Sequence, residues 1–142
     1  MSLRFDQLMD EAEAARMGAL QLAYLGDSVW EMIVRYDLII HKWNVHHMHD
    51  RCVQLVNAGA QSMILHQITD RLTENEREIV RRGRNAHPKH AAPRNQHPDD
   101  YAAATGFEAL LGYLYLTGQN DRIRELTRFI REGFHHAGTE ET

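Results

Sequence analysis

Leu22-Ala-Tyr-Leu-Gly-Asp-Ser-Val-Trp-Glu31 places an acidic residue, Asp27, inside an apolar, small-residue run of helical character. A second stretch, Thr105-Gly-Phe-Glu-Ala-Leu-Leu-Gly112, does the same with Glu108. A carboxylate in such surroundings is costly unless something pairs with it, and a divalent cation suits two of them at once. Asp27 follows Gly26 and lies one helical turn after Ala23, while Glu108 has Ala104 and Gly112 one turn to either side. Small residues on one face let two helix backbones approach closely, and that face then aims a carboxylate at the seam. The pattern predicts two helices packed through these faces, with Asp27 and Glu108 converging from about eighty residues apart. Like charges at that range stay ionised together only when a cation separates them. Hard oxygen ligands, with no cysteine and no placed histidine, favour magnesium or manganese over zinc.

Outward from these two segments, helical periodicity dominates and strand-like alternation is absent, so the expected fold class is all-α, a helical bundle. Leu3–Arg16 reads as a short first helix with Leu8 and Met9 as its apolar contribution, and Leu20–His41 as a long one striped by Val29, Ile33, Tyr36 and Ile40. Helices over His47–Ala58 and Gln61–Arg71 follow. Thr73-Glu-Asn-Glu76 has the form of a capping box, which starts a helix expected to stop near Gly83. Asn85–Pro98 holds all three prolines and reads as one long loop, a feature more often functional than not in a compact domain. Pro98-Asp-Asp100 opens a helix over Tyr101–Leu116. Gly118-Gln-Asn-Asp121 turns the chain into a last amphipathic helix, Ile123–His135, with Leu126, Phe129 and Ile130 inward and a frayed tail from Gly138.

With 142 residues, 43% apolar and 25% charged, a single domain over 1–142 has enough chain to bury a core. No apolar run approaches the roughly 20 residues of a membrane span. The start, Met1-Ser-Leu-Arg-Phe-Asp6, lacks an export pattern, so a cytoplasmic location is expected. Cys52 is alone, which points to a buried small hydrophobe in a reducing compartment. Net charge is −4, yet the stretch 79–98 contains no acid and five bases, Arg81, Arg82, Arg84, Lys89 and Arg94. That strip carries +5 and leaves −9 on the rest, with His87, His90 and His97 able to add charge near phosphate. A basic strip on an acidic body is a footprint for a polyanion; a solvated loop with incidental arginines is the plainer alternative.

Plainer readings also exist for the acids. Asp27 can cap a helix that begins at Ser28, and Glu108 can pair with a basic residue such as Arg35. Glu31 lies one turn from both Asp27 and Arg35, which allows an ordinary intrahelical ladder of charges. His46 and His47 are adjacent and cannot share a helical face, so with His49 they read as solvated or RNA-facing rather than as a zinc cluster. Trp30, Trp43, Tyr113 and Tyr115 fit helical core or interface positions.

Leu22-Ala-Tyr-Leu-Gly-Asp-Ser-Val29 resembles the ribonuclease III signature segment, and Phe107-Glu-Ala-Leu-Leu-Gly-Tyr-Leu-Tyr-Leu116 resembles that family's second acidic motif. Leu55-Val-Asn57 falls where the family has a short turn between helices. The resemblance spans essentially the whole chain and is to the catalytic domain without a double-stranded-RNA-binding domain, as in the Mini-ribonuclease III group. It implies a metal-dependent endoribonuclease that cleaves double-stranded RNA, in that group the precursor of large-subunit (23S) ribosomal RNA, in ribosome biogenesis. It also implies Asp27 and Glu108 as catalytic metal ligands for Mg2+ or Mn2+. A homodimer is implied as well, with Leu22, Tyr24 and Leu25 as expected contacts, and a ribosomal protein as a further partner. The wider family has two more acids, one turn before each of these; here Ala23 and Thr105 stand in those places. The first ligand shell then has to be completed by water, RNA phosphate or Thr105. With no separate binding domain, the strip Arg81, Arg82, Arg84, Lys89 and Arg94 is the expected grip on RNA. A non-catalytic ribosome-associated RNA-binding protein on this scaffold, or a structural helical dimer with an incidental basic loop, stays open.

Overall fold

The computed structural model describes residues 1–86 and 97–138, with side chains to 134. Lys89, Arg94, His87 and His90 from the basic strip therefore lie outside the described residues. The architecture is all-α, with no strand among the described residues. In chain order the helices are α1 (Glu11–Ala15), α2 (Ala19–Ile40), α3 (Val45–Val56), α4 (Ala58–Ile68), α5 (Glu74–Asn85), α6 (Pro98–Leu116) and α7 (Asn120–Gly138). A 3-10 turn, Thr69–Arg71, links α4 to α5.

α6 is the centre of the bundle because its sequence is apolar all round. Residues 103–107 and 109–114 are all buried, so Glu108 is the one break in that run. α2, α4 and α5 pack directly on α6, and α7 closes the bundle against α4 and α6. Trp30 of α2 meets Phe107 edge-on at 5.2 Å, and its Nε1 donates to the Leu55 carbonyl at 2.9 Å, which ties the end of α3 to this core. Asn57 then caps α4 by accepting from the Ala60 amide at 2.9 Å. Cys52 is buried, as expected of a small hydrophobe.

The capping box at Thr73 and Glu76 is formed in both directions. Glu76 then does a second job: Arg122 of α7 donates to it through Nε at 2.9 Å and Nη2 at 2.8 Å, and Nη2 also reaches the Arg71 carbonyl at 2.7 Å. One buried ion pair thus joins the 3-10 turn, α5 and α7.

Several expected boundaries shift for identifiable reasons. The first helix is only Glu11–Ala15, because Asp10 caps it by accepting from the Ala12 amide. The preceding segment lies along α6 instead, with the Met9 amide donating to the Leu116 carbonyl at 2.8 Å. α5 does not stop at Gly83. That residue sits inside the helix, where a Cβ would come within 2.7 Å of the Gly106 Cα, so it serves close packing on α6 rather than a helix end. The α2 stripe is also displaced: Leu22, Gly26, Val29, Trp30 and Val34 face the core, whereas Tyr36 and Ile40 are exposed.

Candidate active site

The seam between α2 and α6 is set by two glycines. A Cβ on Gly26 would lie 1.6 Å from the Glu108 carbonyl oxygen, and one on Gly112 would lie 1.9 Å from the Leu22 carbonyl oxygen. The two backbones therefore touch, and no other residue type fits either position. Asp27 follows Gly26 on α2, and Glu108 stands one turn before Gly112 on α6, so the contact that fixes the crossing also brings both carboxylates to one side of it.

The two carboxyl groups are close enough to act on each other's charge. Burial pushes the Glu108 carboxyl up to about 8, the shared hydrogen bond and the negative charge of Asp27 push the same way, and the amide of Gln61 opposes them. Asp27 is exposed at the mouth of the seam and Glu108 is half-buried behind it. The plainer readings of both acids fail on this geometry. Asp27 lies inside α2, not at a cap, and Arg35 pairs with Glu31 at 2.6 Å rather than with Glu108.

Two carboxylates that repel across a narrow seam form a hard oxygen donor set, and they fit a divalent cation such as magnesium or manganese. Among the described residues no group of three or more His, Cys, Asp or Glu assembles at one place, and at the seam they contribute two acids. Ala23 is buried one turn before Asp27. Thr105 is buried as well, and its hydroxyl donates to the Tyr101 carbonyl at 3.0 Å. His46, His47 and His49 are exposed on α3.

Gln61 escaped the sequence reading. It is 2% exposed and shares the inner face of α4 with Ile64, Leu65 and Ile68. A polar residue at a core position of an apolar stripe was the available signal.

Two expectations need correction. Leu22 is fully buried inside the protomer, so it cannot touch a partner. At about 100° per residue, Leu22 and Tyr24 point in nearly opposite directions, and Leu25 is half-buried against the core; only Tyr24, 86% exposed, projects outward. Arg82 is not a free basic side chain of the strip: its guanidinium donates to the Ala15 carbonyl and, at 2.8 Å, to the Met17 carbonyl, clamping the end of α1. Arg81 is exposed and paired with Glu78, and Arg84 is exposed. An open groove of about 740 Å³ between α2 and α7, lined by Val29, Met32 and Tyr36, lies on the side of α2 opposite Asp27.

Two acids converging across a glycine crossing in an all-α domain form a compact oxygen donor pair, and comparison with known proteins gives the domain its family. The Ribonuclease III domain family model matches residues 20–119, which include both acids. The chain therefore belongs to the ribonuclease III family of endoribonucleases. It is 47% identical to Mini-ribonuclease 3 of Symbiobacterium thermophilum over 80% of this chain and 91% of that one. It is 41% identical to Mini-ribonuclease 3 of Desulfitobacterium hafniense over 89% and 82%. A crystal structure of a Fusobacterium nucleatum protein superposes with a TM-score of 0.74 at 29% identity, covering 83% of this chain and 94% of that one.

Proposed function

We propose that this chain is a divalent-metal-dependent endonuclease of double-stranded RNA, and that it matures the large-subunit (23S) ribosomal RNA precursor in the cytoplasm. The convergence of Asp27 and Glu108 across the Gly26–Gly112 contact carries the reading. Such a cation, Mg2+ or Mn2+, when bound supplies an activated water and offsets charge on the phosphate and leaving oxygen. Asp27, at the open end of the seam, and Glu108, behind it, would hold that ion; the rigid crossing fixes their separation. The rRNA substrate and the help of a ribosomal protein follow from the likeness to Mini-ribonuclease 3 and rest on it.

Duplex RNA presents its minor-groove 2′-hydroxyls and its phosphates, since its major groove is too deep and narrow to read. On this reading the catalytic domain offers its own surface for the grip. Arg81 and Arg84 at the end of α5, with Lys89 and Arg94 beyond it, are the proposed phosphate contacts. Replacing Arg84 and Lys89 by alanine should lower the slope of log affinity against log salt by about one for each phosphate no longer neutralised. An unchanged slope excludes the strip.

Two strands need two cuts, so the proposed assembly is a homodimer with exposed Tyr24 as its apolar contact, and the mass in solution at micromolar concentration tests it. The direct test of function is incubation of an end-labelled structured RNA with and without magnesium, mapping the termini produced. Magnesium-dependent paired cuts in duplex are expected. Binding without cleavage under every divalent ion would return the chain to a non-catalytic role.

A further inference from the structure

Among the described residues, one buried side-chain nitrogen or oxygen has no hydrogen-bond partner, and it is Nε2 of Gln61. Leaving a buried donor unmatched costs about 1–3 kcal/mol, so a fold that keeps one has a use for it in another state. Its surroundings name the use. Gln61 stands on the face of α4 that packs on α6, among Ile64, Leu65 and Ile68, and its amide lies near enough to the Glu108 carboxyl to oppose the rise in its pKa, short of a formed hydrogen bond. No other polar group of the apolar α4 face shares that position, and a hydrocarbon of similar volume would fill it without penalty.

We infer that Gln61 is a positioning residue of the catalytic seam, its amide donating to one oxygen of ionised Glu108 so that the other is held toward Asp27. The donor is matched to a charged acceptor: a carboxylate that holds a cation through one oxygen has lone pairs left on the other, and an N–H from a buried, immobile side chain fixes its rotamer. This is the arrangement by which outer-shell partners orient metal ligands. Gln61 touches neither substrate nor cation; it acts through Glu108. The inference rests on the metal reading of the Asp27–Glu108 pair given above.

The test uses two variants that delete the donor but differ in shape, Gln61→Leu and Gln61→Met, in the full chain. Mn2+ alone is titrated by electron paramagnetic resonance, without RNA, and thermal unfolding is followed in chelator. Both variants should bind Mn2+ roughly 10–100-fold more weakly than wild type while melting no lower than it, because the unmatched donor is gone. Cleavage at saturating RNA should fall and recover partly as the metal concentration is raised, with KM for RNA unchanged. Wild-type Mn2+ affinity in both variants overturns the Gln61 role and leaves the metal site standing. Failure of the wild-type protein itself to bind Mn2+ overturns both. If the leucine variant does not fold, the methionine variant decides alone, and lower melting with normal Mn2+ affinity marks a packing role and overturns the inference.

Discussion

Glu76 and Glu108 are two enclosed glutamates in one bundle, and they are treated in opposite ways. Glu76 is the more buried, at 4% exposure, yet it is fully matched: burial alone would raise its pKa, but hydrogen bonds from Arg122 and the Thr73 amide, with the charge of Arg122, hold it below the usual carboxylate value. Glu108 is only half-buried but faces another carboxylate and a lone amide, and it is pushed up to about 8. Burial of an acid is therefore not what marks a site. The mark is a buried acid whose partners within the chain do not balance it, since folding tolerates that imbalance only where an external group restores it.

The sharpest way to break this contrast is through activity. Asp27→Asn and Glu108→Gln should each abolish RNA cleavage, by more than the roughly 10–100-fold that removal of an outer-shell partner costs, with duplex RNA affinity retained. Arg122→Ala should leave the turnover of the folded fraction unchanged. Single-turnover cleavage alongside filter binding makes the comparison; near-full turnover in either acid variant removes the distinction between the two glutamates.

A second effect addresses the scaffold. Gly26→Ala inserts a methyl where the Glu108 carbonyl oxygen lies 1.6 Å away, so α2 and α6 must separate. The expected cost is about 3 kcal/mol, the upper end for overpacking, together with loss of cleavage, measured by denaturant unfolding and RNA assay. An alanine variant as stable and active as wild type would mean that the crossing does not set the site.

A further effect lies in how stability varies with pH. The Glu76 value is depressed in the folded protein, so its contribution is present above the unfolded value of 4.5 and disappears as pH falls through the folded value. Arg122→Ala should thus destabilise by about 3 kcal/mol at pH 7, and that gap should close in acid. The Glu108 value is raised, so the sign reverses: stability is full below 4.5 and is lost as pH rises toward about 8. In chelator, Glu108→Gln should melt increasingly above wild type across that interval. Parallel melting curves for the two proteins would show that the seam carries no electrostatic penalty.

Much of this was legible from composition and spacing. Helical periodicity gave the all-α class, the Thr73–Glu76 box gave the start of α5, and small residues around Asp27 and Glu108 pointed to a close crossing, since each of these is a local pattern. The partners of individual charges were not legible. Arg82 sits in a run of arginines that reads as a polyanion grip, yet it binds carbonyls some 65 residues away, at Ala15 and Met17. Leu22, Tyr24 and Leu25, which the family resemblance offered as one contact patch, are sent to different sides by helical rotation.

Sequence by itself determined the all-α class, the start of α5 at its capping box, and that two acids sit in surroundings unsuited to unpaired charge. Only the tertiary structure decided that Glu76 is neutralised by Arg122, that Glu108 is left facing Asp27, and that Gln61 waits beside it without a partner. The reason is one of range: propensity, capping and amphipathic period act over a few residues, whereas the energy of a charge depends on whatever the fold sets against it, however distant in the chain.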